Sequence, residues 1–147
     1  MKLASIQKVT SVEPIEGADK IVKIIVAGHE LVTQKSNNLK INDFVVYFEV
    51  DAMLPTDSTF GWLAPNLIKS TDGYEGYRIT PRKTKGIISD GLCLPLSYFE
   101  QESMGKIIYS FNNNADEMYI KFYNTGNSYF VRENEDLTKE INIKKFN

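Results

Sequence analysis

Four cations fall within eight residues of this chain: Arg78, Arg82, Lys83 and Lys85. The formal net charge of the whole sequence is -2, so no global field draws it to a polyanion. A grip on phosphates must therefore come from the local cluster. Thr80 and Thr84 lie among the cations and can donate hydrogen bonds to phosphate oxygens. On an extended strand Arg78, Thr80 and Arg82 project to one face, with a disturbance at Pro81. Lys83 and Lys85 then occupy the following turn. The pattern reads as a phosphate-binding patch. The competing reading is a strand edge kept charged to discourage pairing with another chain.

Other residues add to the patch or compete with it. Gln34 and Lys35 end an earlier strand and extend it. Tyr47 projects from the less apolar side of a strong strand and offers a ring for base stacking, and Tyr74 and Tyr77 lie near the cations. Each of these tyrosines can equally pack over a barrel end. No residue pattern supports catalysis. Glu49 and Asp51 have no identifiable partner for acid–base work. His29 is the single histidine and sits beside Gly28 in a turn. Glu13, Glu16 and Asp19 surround Gly17, where turn capping and pairing with lysines account for them better than a metal site. Cys93 is the single cysteine, which excludes an intramolecular disulfide and a cysteine-based metal site. Its neighbours Leu92 and Leu94 predict a buried thiol.

Short strands must position these side chains. Residues 2–12 are rich in Ile and Val and predict a first strand ended by Pro14, with Gly17 turning the chain. A second strand spans 20–27, and Gly28-His29 leads to a third at 30–35. The strongest signal is Phe44 to Val50. There Phe44, Val46, Phe48 and Val50 share the core face, and Val45, Tyr47 and Glu49 point the other way. Residues 51–75 form an excursion with a short helical turn near 63–69. Strands at about 76–82 and 86–95 follow, with Lys83 to Lys85 between them. The sum is an all-β chain with minor α content, best matched by a five-stranded OB-fold barrel. In that barrel 51–75 would supply the connection between the third and fourth strands.

Composition shifts after residue 100. The alternating run 118–123, the turn residues 124–127 and the run 128–132 predict an inserted C-terminal β-hairpin. The expected boundaries are 1–100 for the barrel, 101–132 for the inserted hairpin and 133–147 for a charged linker or tail. A length of 147 residues with 42% hydrophobic and 24% charged content suits one domain with an appendage. The N-terminus carries no apolar run long enough for a signal peptide or a membrane span, so the expectation is a cytoplasmic protein without a membrane partner.

Three segments in order resemble one family. They are Glu13-Pro14-Ile15-Glu16-Gly17-Ala18-Asp19-Lys20-Ile21, then Asp43 to Asp51 with Leu54-Pro55, then Tyr77-Arg78-Ile79 through Lys85-Gly86-Ile87-Ile88-Ser89-Asp90-Gly91-Leu92-Cys93-Leu94-Pro95-Leu96. Together they span about residues 1–98. They resemble the N-terminal OB domain of Deinococcus-type ATP-dependent RNA ligases, and the opening is related in pattern to tRNA-binding OB domains. Glu135 to Ile141 with Lys144-Lys145-Phe146 is similar to the passage into that family's nucleotidyltransferase domain. Residues 101–132 match nothing in it.

The resemblance implies a module that holds RNA or an RNA–DNA hybrid duplex beside a break. A ligase catalytic domain would be its further partner. In that family a lysine of a Lys-x-Asp-Gly motif attacks ATP and carries AMP. The motif is absent here, and Lys69-Ser70-Thr71-Asp72-Gly73 has one residue too many. The resemblance thus implies no cofactor in this chain, with ATP and magnesium belonging to the ligase domain. It also implies a non-catalytic module, either part of a longer ligase or free-standing. Two other readings stay open: a free-standing tRNA-binding OB module, and a protein-interaction barrel whose hairpin holds a partner.

Overall fold

Glycine turns and β-branched runs fold the first third of the chain into a meander. In the computed structural model, which describes residues 2–112 and 115–147, it comprises β1 (Ala4–Ile15), β2 (Ala18–Val26), β3 (His29–Gln34) and β4 (Phe44–Phe48). Asn113 and Asn114 of the extension lie outside the described residues. An excursion holds β5 (Ala52–Leu54), a 3-10 segment at 58–66, β6 (Leu67–Lys69), β7 (Glu75–Arg78), β8 (Arg82–Thr84) and β9 (Ile87–Ser89). Next come β10 (Leu92–Pro95), α1 (Leu96–Gln101), β11 (Gly105–Asn112), β12 (Ala115–Phe122), β13 (Ser128–Phe130), β14 (Glu135–Asp136) and β15 (Lys144–Lys145).

The main sheet runs β10-β4-β1-β2-β3, with every pair antiparallel. β1 is long enough to serve two partners. Its first half pairs with β4 and its second half with β2, and the register slips between Val9 and Ser11. Such a bulge bends a strand and increases its twist. The sheet curls until β3 meets the segment before β10. There the Asp90 N–H donates to the Glu30 carbonyl at 3.1 Å, and the Val32 N–H donates to the Ser89 hydroxyl at 2.9 Å. The result is the OB-fold arrangement, with β1, β2, β3, β4 and the β9–β10 segment as its five strands.

Three local expectations are corrected. The first strand continues through Pro14 to Ile15, because β4 pairs only with Ala4 to Lys8, so β1 is a free edge at its far end. Proline's missing N–H costs no ladder bond on such an edge. The long excursion joins the fourth and fifth barrel strands, whereas the third and fourth are joined by residues 35–43. The helical turn lies at 58–66, started by the Asp57 carboxylate accepting from the Thr59 N–H at 2.9 Å, and residues 67–69 are extended.

β4 explains how the domain is layered. Val45 and Tyr47 pack inside the barrel with Val9, Ile24, Val26, Leu31 and Cys93. Val46 and Phe48 pack on the other side, with Phe60, Phe99, Ile120 and Phe122 among others. Both faces of the strand are therefore buried, as five consecutive apolar residues allow. A second layer covers the barrel's outside: α1, the three-stranded sheet β11-β12-β13 and the chain's end. The turn predicted at 124–127 is present, with Gly126 at φ +74° and its N–H donating to Phe122, and β11 adds a third strand to the predicted pair. The segment 133–147, charged in sequence, is packed down. Leu137, Ile141 and Ile143 are buried, β14 pairs with β1, and β15 pairs with β5. Most of the charged side chains stay at the surface while these three apolar residues, four and two positions apart, insert.

Candidate nucleic-acid interface

The excursion leaves the barrel and returns, and a groove of about 610 Å³ opens between it and β3. β3 contributes Thr33 and Gln34 to the lining, the 58–66 segment contributes Trp62 and Asn66, and Thr80, Arg82 and Thr84 form the facing wall. Leu31, Cys93 and Leu94 make an apolar floor. Burial pushes the Cys93 thiol from its usual 9.0 up to about 12, which makes it an inert part of that floor.

A two-residue turn sets the wall. β8 and β9 pair from Arg82–Ser89 to Thr84–Ile87, leaving Lys85 and Gly86 as the loop. Both have positive φ, +52° and +82°, as a tight hairpin loop of the primed type requires. Arg82 and Thr84 therefore point to the groove, with one Arg82 nitrogen 3.4 Å from the Asn66 amide oxygen. Lys83, one residue out of phase, and Lys85 at the tip are exposed. Lys35 is exposed just beyond β3 and does not line the groove.

Arg78 lies elsewhere. Pro81 cannot donate to a ladder, so β7 stops at Arg78 and β8 starts at Arg82 in a different sheet. The Arg78 guanidinium is 2.9 Å from the Asp51 carboxylate and 3.9 Å from the centre of the Phe146 ring. It is a structural clasp between the excursion and the chain's end. The expected single face of Arg78, Thr80 and Arg82 is thus broken at its first member. Tyr47 is also removed from the surface. It is 3% exposed, its hydroxyl donates to the Asp90 carbonyl at 2.5 Å, and the His29 ring stacks on it at 5.1 Å. Burial first, and the nearby Asp90 charge second, raise its pKa, so the phenol stays neutral. His29, expected in the turn, is the first residue of β3 and lies 2.6 Å from the Asp90 carboxylate. Tyr77 is buried in the core, and Tyr74 lies under the Lys144 ammonium at 5.2 Å.

Of the predicted residues, Gln34, Thr80, Arg82 and Thr84 converge on the groove, and Lys83 and Lys85 stand on the hairpin that forms its wall. Sequence reasoning missed Trp62, Asn66 and Tyr98. The signal available was the single tryptophan of the chain, set three residues before a proline in an otherwise mixed stretch. The Lys69-Ser70-Thr71-Asp72-Gly73 segment is the turn joining β6 to β7. Asp72 accepts from the Ser70 hydroxyl and from the Tyr74 N–H, and the first of these chiefly lowers its pKa. Lys69 is exposed and outside the groove. Among the described residues no three His, Cys, Asp or Glu side chains gather to hold a metal ion, and no helix is long and apolar enough to cross a membrane.

A curled five-strand sheet with a groove beside its last connection defines an OB-fold domain. The PHA02142 OB-fold domain family matches residues 3–96, and the chain belongs to that family. Solved structures extend the likeness. The Naegleria gruberi RNA ligase with pyrophosphate has a TM-score of 0.71 at 26% identity, covering 100% of this chain and 36% of the ligase. A lysine-to-alanine mutant of that ligase with ATP and manganese gives 0.71 and 26%, over 99% of this chain and 36% of the ligase. An apo mutant gives 0.72 and 25%, over 100% and 36%. The chain thus spans about a third of the length of the ligases it matches. The likeness includes residues 101–132, where the sequence resemblance stops. No curated protein matches the sequence.

Proposed function

We propose that this OB domain is a nucleic-acid-binding module that holds nicked or broken RNA-containing strands for sealing by a nucleotidyltransferase domain, as in Deinococcus-type RNA ligases. The observation that carries the reading is the groove wall. Arg82, Thr80 and Thr84 face the cavity, with Lys83 and Lys85 on the same hairpin, in a chain of net charge -2. Phosphate contact by a few local cations gives weak, salt-dependent affinity, about 10⁻⁴–10⁻⁶ M at physiological salt. The likeness to an RNA ligase over the full chain supports the sealing context.

Filter binding with nicked RNA–DNA duplex, intact duplex and tRNA tests the proposal. Nicked RNA-containing duplex should bind with a log–log salt slope near -2.7, from about -0.9 for each of three contacts. A preference for tRNA would favour the free-standing tRNA-binding module, and no binding at all would defeat both. Incubated with labelled ATP and magnesium, the chain should acquire no covalent AMP, because the Lys-x-Asp-Gly motif is absent. A labelled band at the chain's mass would direct attention to Lys69.

One observation favours a second reading, the protein-interaction barrel. Tyr109 and Phe111, on the sheet face that packs into the core nearer the barrel, are 76% and 70% exposed. Ultracentrifugation at increasing concentration would show whether this surface pairs two copies.

A further inference from the structure

Trp62 has a role that phosphate contact does not require. Its ring is 51% exposed and lines the groove, while its one polar atom is already satisfied. The indole Nε1–H donates to the Tyr98 hydroxyl at 2.7 Å, and that hydroxyl donates in turn to the Thr59 carbonyl. Tyr98 is itself held by Phe60, stacked at 6.3 Å, and by Phe99, edge-on at 5.6 Å. The Trp62 and Tyr98 rings meet at 81°, so Trp62 is fixed by its edge. A large apolar ring is thus locked in one orientation and left half open.

A single exposed aromatic needs no explanation by itself. This one shares a cavity with Arg82, and with side-chain amides and hydroxyls from Gln34, Asn37, Ser97 and Gln101. About 610 Å³ falls in the usual range for a pocket that takes one small ligand. A base inside a duplex has both faces covered by its neighbours and cannot lie on an indole. A base must first leave the stack, which costs a few kcal/mol in a duplex and least in a single strand.

We infer that the groove receives one unpaired base stacked on Trp62, with the adjoining phosphate on Arg82 and the base edge toward the amides. The ligand class is a single-stranded stretch or a frayed strand end, not the body of a duplex. This rests on the nucleic-acid reading above and narrows it to the state of the strand.

Because Trp62 is the single tryptophan, intrinsic emission reports on this ring alone. The full chain is titrated with a fluorescein-labelled single-stranded RNA 12-mer and with its blunt duplex, following label anisotropy and Trp62 emission together. Single-stranded RNA should bind and quench Trp62. Stacking on an aromatic contributes about 1–3 kcal/mol per base, so Trp62→Leu should weaken single-strand binding about fivefold or more and weaken blunt-duplex binding less. Trp62→Phe keeps a ring but loses the Nε1–H, and should weaken single-strand binding less than Trp62→Leu. Circular dichroism of both variants should match the parent. Single-strand binding with unmoved emission and unchanged affinity in Trp62→Leu overturns the stacking role and leaves the nucleic-acid reading standing. Failure of both RNAs to bind the parent overturns that reading and this one with it.

Discussion

Arg78 and Arg82 are four residues apart and belong to different parts of the molecule. Arg82 faces a groove beside an amide oxygen at 3.4 Å and remains available to a ligand. Arg78 is committed to Asp51 and to the Phe146 ring. The groove side ends in an open cavity, whereas the clasp side is closed by β15 lying on β5 and by the Phe146 N–H donating to the Asp51 carbonyl at 2.9 Å. Charge density along a sequence therefore overstates a binding patch. What decides is whether a cation's partner comes from the protein itself.

The largest expected effect concerns the groove floor. At pH 8 the thiolate fraction of Cys93 should be about a thousandfold lower in the folded chain than in the unfolded one, from a pKa near 12 against 9.0. Iodoacetamide should label it in urea and barely label it in buffer. Labelling at the unfolded rate would mean that the groove opens through its floor. The shift also carries a sign for stability. Only the unfolded state releases the proton near pH 9, so stability is intact below pH 9 and is lost as pH rises from 9 toward 12.

On the clasp side, Leu137 is fully buried against the barrel's outer layer. Leu137→Ala should destabilise the whole chain by about 2–5 kcal/mol in urea unfolding. If the loss is under about 0.5 kcal/mol, the closing segment is a tail after all, and the contrast between open groove and closed clasp weakens. On the groove side, replacing Arg82, Lys83 and Lys85 together with Ala should flatten the RNA salt slope by about 2.7. The urea midpoint should stay where it was, because these heads are solvated.

Much of this was legible in the residues. Period-two alternation, Gly17 and Gly28, and the hydrophobic run 44–48 state the barrel, because local backbone preference and strand pairing agree there. The wall cations Arg82, Lys83 and Lys85 were legible as a cluster of residue types but not in their placement, because Lys83, expected in the turn, is paired in β8 and only Lys85 lies in the loop. Three things were not. Arg78's partners are 27 and 68 positions away in sequence, and no local pattern marks them. Tyr47 sits at the position in β4 where strand alternation alone predicts exposure, but that face is the barrel interior. Trp62 is held by Tyr98, 36 residues later, across a contact that only the folded excursion makes.

The smallest expected effect is the sharpest test of the contrast. The Arg78–Asp51 pair is about one-third exposed on each side, so solvent screening leaves it worth at most about 1 kcal/mol. The Phe146 contact adds about 0.5–1 kcal/mol for a cation over a partly exposed ring. Arg78→Ala should therefore cost about 1–2 kcal/mol of stability. Arg78→Lys keeps the charge but gives up the planar group that can both pair with Asp51 and lie on Phe146, and should cost about 0.5–1 kcal/mol. Neither substitution should change the RNA salt slope, because Arg78's charge is already paired with Asp51 and does not line the groove. Urea unfolding and the salt titration, run on the same two proteins, separate the outcomes. A slope flattened by about 0.9 in Arg78→Ala, restored in Arg78→Lys, would return Arg78 to the phosphate patch and erase the division between groove and clasp.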